Sequence, residues 1–218
     1  VQAMVTNQAS SLVIKHPNLI VFAGDHGVAA EGVSIAPSEV TGQMVANFAT
    51  GGAAINVFCH QLGWQLSVVD AGVLIEPAAE LNIINQRLGC TTEPFHKAPA
   101  MTLATVEQGF TMAKSLILQT KERGCNLVAF GEMGIGNTTS ASAIMAAVMK
   151  LSAKETVGKG TGVTDDIVLI KQSVVQQALE LHRDKLADPL QILACLGGFE
   201  IVQITGAMLA AAEEQMHI

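Results

Sequence analysis

Three acidic residues each sit at the end of an apolar run, next to glycine: Asp25 in Ala23-Gly24-Asp25-His26-Gly27, Asp70 in Asp70-Ala71-Gly72, and Glu132 in Gly131-Glu132-Met133-Gly134. The runs before them, Leu19 to Phe22, Leu66 to Val69 and Leu127 to Phe130, have the length of buried strands. In an open parallel sheet the ligand crevice lies outside the carboxyl ends of the strands. One acid at a strand end serves as a cap or loop contact, whereas three delivered to the same edge favour a shared site.

The third run carries the strongest signal. Gly131, Gly134 and Gly136 loosen the chain after the strand, and Asn137 or Thr138 can cap a helix whose interior begins near Ala141. A helix start presents unpaired N–H groups and a partial positive charge, which suits an anion and above all a phosphate. Glu132 cannot itself bind that anion. A carboxylate there accepts hydrogen bonds from hydroxyls or faces a developing positive charge. No Gly-Lys-Ser/Thr closes the turn, so it is not a Walker A loop, and its glycine spacing is not that of a dinucleotide fingerprint. The same residues also read as a glycine-rich turn with no ligand.

Other candidates are less specific. Asp25-His26 reads equally as a pair satisfying loop backbone or as half of a metal site, but no His or carboxylate follows at ligand spacing, so no metal is assigned. Lys171 falls on a helix, where lysine is by default solvated. Gln43 lies off the apolar stripe of its own helix, facing either solvent or a planar ligand.

The elements that must position these residues follow from periodicity. Val1 to Lys15 has helix-compatible spacing and leads into the turn His16-Pro17-Asn18. Pro37 or Ser38 opens a helix through Val40, Met44, Val45 and Phe48, and another runs from Gly51-Gly52 to Leu62 with Gly63 behind it. Leu74 to Pro99, with Arg87, Thr91, Thr92 and Pro94, is a loop-rich excursion near the site. Helices follow over Thr105 to Arg123 and about Asp165 to Leu181, the second preceded by the polar loop 158–162. Asp188-Pro189 begins a short helix, Leu196-Gly197-Gly198-Phe199-Glu200 a turn, and Ile201 to Ala212 a helix apolar on nearly every face, which must therefore be buried, either by its own domain or by a partner. Strands alternating with helices predict an α/β fold, with a parallel sheet and helices on both sides.

The chain has 218 residues, half of them apolar, which is ample for one core of α/β type. A net charge of −7 without a cluster of Lys and Arg argues against a nucleic-acid surface. No apolar run approaches the ~20 residues needed to cross a bilayer. Cys59, Cys90, Cys125 and Cys195 are scattered without a CxxC pair, which fits a reducing cytoplasm and suggests neither zinc nor disulfides. The sequence starts and stops in mid-pattern, as expected of the central part of a longer chain.

Several longer runs occur together and in order: Phe22-Ala-Gly-Asp-His-Gly-Val28, Gly32-Val-Ser34 with Val40-Thr-Gly-Gln-Met44, Gly51-Gly-Ala-Ala-Ile-Asn56, Val69-Asp-Ala-Gly-Val73, Gly131-Glu-Met-Gly-Ile-Gly-Asn-Thr-Thr139 and Leu196-Gly-Gly-Phe-Glu200. On these the chain resembles the nicotinate-nucleotide:dimethylbenzimidazole phosphoribosyltransferase family over essentially all its residues.

The resemblance implies a three-layer α/β/α Rossmann-like domain spanning 1–218, a homodimer, and no cofactor. It also implies transfer of phosphoribose from nicotinate mononucleotide to 5,6-dimethylbenzimidazole, with inversion, for the lower ligand of cobalamin. Gly134 and Lys171 match the family's phosphate site, in the turn shared with Gly136, Asn137 and Thr138. Glu132 matches an active-site carboxylate near the ribose, beside Asp25, His26 and Asp70. Ser34, Gln43 and Met133 fall on the stretches that enclose the flat base. Around Cys90-Thr91-Thr92-Glu93-Pro94 the sequence departs from the family's Gly-Thr-x-Asn. The family's general base, a glutamate in a Gly-Glu-Gly motif, has no match in these residues. Two other readings compete: a non-catalytic phosphate-binding module without that base, and a metal-dependent hydrolase built on Asp25, His26 and Asp70.

Overall fold

A computed structural model describes residues 13–160 and 162–218. The helical spacing noted over Val1 to Lys15 falls mostly outside the described residues. The elements are β1 (Asn18–Gly24), a 3-10 turn (Gly27–Glu31), α1 (Glu39–Thr50), α2 (Ala54–Leu62), β2 (Gln65–Gly72), β3 (Ile84–Asn85), α3 (Leu103–Glu122), β4 (Val128–Met133), α4 (Asn137–Met149), α5 (Ala153–Thr156), α6 (Asp165–Leu181), α7 (Pro189–Leu196) and α8 (Phe199–Glu213).

The four strands form one parallel sheet in the order β3-β2-β1-β4. The central strand β1 is apolar in every position from Leu19 to Ala23, the signature of a strand covered on both faces. Its side chains alternate accordingly. Ile20 and Phe22 join Ala113, Leu116, Ile117, Ala207 and Ala210 of α3 and α8 in one core, while Ala23 packs with Val45, Val68 and Val73 beneath α1 on the other side. A third apolar cluster ties α4, α6 and α7 to the start of α8. The result is the expected three-layer α/β/α arrangement.

Two local readings change. The run Leu196 to Glu200 is not all turn: only Gly197 and Gly198 separate α7 from α8, so Phe199 and Glu200 belong to the first turn of α8. Its own domain does not bury that helix on every face. Val202, Gly206, Ala207 and Ala210 are inside, but Met208 and Leu209 keep 44% and 54% of their surface exposed, because α8 lies between α3 and the sheet and leaves its fourth side to solvent. The excursion after β2 supplies the short edge strand β3, too brief for a periodic signal. After α8 the chain turns back, and His217 runs parallel to Leu127 at the outer edge of β4, where its carbonyl accepts from Val128 N–H at 2.8 Å.

Register brings the strand tips together. Ala23 lies opposite both Asp70 and Met133, and Phe22 opposite Glu132. Asp25, Asp70 and Glu132 therefore come from adjacent strand ends on the carboxyl edge of the sheet.

Candidate active site

The glycine turn after β4 is forced by close backbone packing. A Cβ on Gly134 would overlap the carbonyl oxygen of Gly24, and Gly136 has φ +97°, a conformation that other residues enter only with strain. Gly136, and neither Asn137 nor Thr138, takes the cap position of α4, and no side chain closes the helix start. The two expected caps are used elsewhere. Asn137 Nδ2 donates to Glu132 Oε2, and Thr138 Oγ1 accepts from Lys171 Nζ at 2.9 Å. No side chain shields the start of α4, but Asn137 and Thr139 N–H donate to the carbonyls of Gly134 and Gly136 at 3.1 and 3.0 Å, which leaves the Thr138 N–H as the first-turn donor open to an anion.

Lys171 departs from the default for a helix lysine and sits as the family resemblance implies, inside the protein. Far from solvated, it is 1% exposed on α6, because α6 packs against α4 and points this side chain inward. Its ammonium meets Thr138 Oγ1 and, at 3.4 Å, the carbonyl of Gly158, and no carboxylate among the described residues. Burial pushes its pKa below the usual lysine value. A buried cation with no carboxylate partner among the described residues favours negative charge beside it.

Lys171 and Glu132 line one cavity of about 120 Å³, together with Met133, Gly134, Gly136, Asn137, Thr138 and Ser34. Val33, Ile135, Lys159 and Val163 complete that wall, and no sequence signal marks any of them as a site residue. Glu132 opens to solvent at the rim. The protein around it raises its pKa, Glu200 raises it further, and His26 acts the other way. Gln43 is exposed on α1 and does not line this cavity.

Asp25 and Asp70 hold loops and do not line this cavity; Asp70 lines a separate cavity of about 160 Å³ with Glu76, Leu81, Ile83 and Asn85. Asp25, 1% exposed, accepts from Thr41 Oγ1 at 2.6 Å and from Leu74 N–H at 2.7 Å. Burial raises its pKa more than these hydrogen bonds lower it. Asp70 accepts from Gly72 and Val73 N–H at 2.9 and 2.8 Å and from Arg87 Nη1 at 2.6 Å, which pins the Leu74 to Pro99 excursion to β2. The same excursion reaches the 3-10 turn after β1, where Gly27 N–H donates to Thr92 O at 3.1 Å. No group of three His, Cys, Asp or Glu residues that could hold a metal occurs among the described residues.

His26 pairs with a residue that sequence reading had left in a turn. Its Nε2 lies 2.6 Å from Glu200 Oε1, with both side chains wholly buried. Burial pushes the His26 pKa down, but Glu200, then Asp25 and Glu132, bring it above the usual value. Glu200 stands out only once α8 is seen to start at Phe199, since a buried carboxylate in an otherwise apolar helix needs a partner. Thr41 carried no comparable signal.

A phosphoribosyltransferase family model matches residues 1–218. The chain belongs to this family. Relatives named nicotinate-nucleotide–dimethylbenzimidazole phosphoribosyltransferase include those of Pseudoalteromonas translucida (strain TAC 125), 62% identical over 94% of this chain and 58% of the relative. That of Shewanella sp. (strain ANA-3) is 61% identical over 95% of this chain and 59% of the relative. Among solved structures, CobT from Thermus thermophilus superposes with a TM-score of 0.89 at 34% identity, covering 99% of this chain and 64% of that one. The chain thus spans about three fifths of the length of the family members it matches.

Proposed function

We propose that these residues form the nucleotide-binding core of a transferase that moves phosphoribose from nicotinate mononucleotide to 5,6-dimethylbenzimidazole, yielding α-ribazole 5′-phosphate and nicotinate for cobalamin synthesis. The observation that carries this is Lys171, buried at the start of α4 with no carboxylate partner among the described residues and in the same cavity as Glu132. In this reading the 5′-phosphate takes the ammonium and the Thr138 N–H, while Gly134 and Gly136 let the turn pack closely on the end of β1 and on His26. The ribose then lies beside Glu132. As the C–N bond to nicotinate breaks and an imidazole nitrogen of dimethylbenzimidazole attacks the opposite face, positive charge grows on the sugar. A carboxylate held by Asn137 stabilises it. The azole N–H proton leaves to the general base, which the family places in its Gly-Glu-Gly motif. Ser34 and Met133 border the space for the flat base, with Gln43 on the neighbouring helix. Asp25, His26 and Asp70 support the walls.

Two finer expectations belong to the same proposal. A homodimer would cover the apolar side chains of α2, where Val57, Phe58 and Leu62 are 60%, 57% and 67% exposed. A cytoplasmic location agrees with four free cysteines and with the absence of any described helix long and apolar enough to cross a membrane.

The decisive experiment is a titration with nicotinate mononucleotide with and without dimethylbenzimidazole, following nicotinate release, on the chain extended to the length of its relatives. Release that depends on both substrates is expected. Binding of the mononucleotide without release would favour the non-catalytic module instead.

A further inference from the structure

The His26–Glu200 pair has no explanation in stability alone. Removing two ionisable groups from water offsets most of the attraction between them. Here the outer atoms of the pair, His26 Nδ1 and Glu200 Oε2, are also buried without a hydrogen-bond partner among the described residues. Buried groups left unsatisfied in this way call for a reason outside folding.

Their surroundings supply one. A Cβ on Gly24 would stand 2.9 Å from Glu200 Oε2, and one on Gly198 2.5 Å from the same oxygen. A Cβ on Gly136 would lie 3.1 Å from His26 Cβ, and one on Gly134 3.4 Å from His26 Cδ2. Bare backbone from the end of β1, from the glycine turn after β4 and from the start of α8 thus closes on this pair. It lies directly behind the turn whose front lines the cavity.

The charges agree with that position. His26 faces the carboxylates of Glu200, Asp25 and Glu132. Glu132 faces Glu200 and His26 from behind, and shares its cavity with Lys171 and Lys159.

We propose that His26 and Glu200 form a positioning element for the transfer reaction, holding the glycine turn in place and setting the electrostatic field in which Glu132 meets the ribose. This rests on the transferase reading above. Glu200 bears on Glu132 more strongly than His26 does, so loss of the pair eases the ionisation of Glu132. Glu132 acts as a carboxylate, and activity is lost as pH falls through its pKa. Lowering that pKa moves the acid limb of the profile down.

The test compares nicotinate release by the wild type and Glu200→Gln across the acid and neutral range, on the chain extended to the length of its relatives. The acid limb of kcat/KM is expected to move down by roughly 0.5–1 pH unit. Turnover should fall about tenfold through loss of alignment, while KM for the mononucleotide changes by no more than about threefold. An unmoved limb, or one moved upward, with only a lower Tm would overturn the proposal. A second arm needs neither turnover nor a stable Glu200 variant: ¹⁵N NMR of the imidazoles in the wild type and in Glu132→Gln. His26 is expected to titrate above the usual imidazole value in the wild type and at lower pH in Glu132→Gln. A wild-type titration at or below the usual value, or one indifferent to Glu132→Gln, overturns the coupling. A wild type that releases no nicotinate while this arm succeeds faults the transferase reading and leaves the coupling standing.

Discussion

Thr41 donates its hydroxyl hydrogen to Asp25 Oδ1 at 2.6 Å, and the Thr41 hydroxyl oxygen accepts the backbone N–H of Ile135 at 3.1 Å. One fully buried hydroxyl on α1 therefore connects the tip of β1 to the glycine turn after β4. Thr41→Val keeps the volume but strands both partners. Destabilisation of about 1–3 kcal/mol is expected from the unpaired polar groups, read as a lower midpoint in denaturant unfolding. Affinity for nicotinate mononucleotide should weaken at the same time, because the turn loses its anchor.

Lys171→Ala should weaken nicotinate mononucleotide by about 10–100-fold, the range of one charge-assisted hydrogen bond. Dimethylbenzimidazole, which carries no phosphate, should bind within about twofold of wild type. Calorimetric titration of each compound separates the two. Equal losses for both would remove Lys171 from the phosphate site.

The lowered pKa of Lys171 also predicts a proton balance. In the folded protein the ammonium loses its proton below the ordinary value of 10.5, while the unfolded chain keeps it. The unfolded state then binds more protons in that window. Stability of the free protein is therefore reduced by this group below the lowered value and rises with pH up to the ordinary one. A phosphate restores the charge. Mononucleotide binding in the alkaline range should take up protons, and affinity should fall earlier with pH than for an ordinary lysine. Calorimetry in buffers of different ionisation enthalpy measures the uptake directly.

Asn137→Ala frees the Glu132 carboxylate from its only side-chain hydrogen bond among the described residues. Turnover should fall about 10-fold through loss of alignment. Glu132→Gln should fall further, about 100-fold, because the charge itself is gone. Both variants should keep the wild-type Tm within a few degrees, since Glu132 lies at the exposed rim. Steady-state rates beside thermal melts would show this.

Gly134→Ala drives a methyl group into the carbonyl of Gly24, whereas Gly158, in the loop before α6, has no atom within 4 Å of a Cβ. Overpacking at the first position should cost about 1–3 kcal/mol. Gly158→Ala should be near neutral. Parallel melts of the two variants distinguish a built turn from a merely flexible one.

Local pattern was sufficient for the frame. Short apolar runs ending in acid and glycine marked β1, β2 and β4, and because parallel strands share one direction, Asp25, Asp70 and Glu132 had to arrive at one edge. The glycine turn, the helix behind it and the family motifs were equally legible, since each is written in adjacent residues. Tertiary structure alone decided how the acids are used: Thr41, Leu74 and Arg87 come from other segments to occupy Asp25 and Asp70, while Glu132 keeps an open rim. It alone buried Lys171, because the inward face of α6 is set by packing against α4. It alone joined His26 to Glu200 across 174 positions. Burial and long-range charge pairing are properties of packed elements, and no spacing along the chain encodes them.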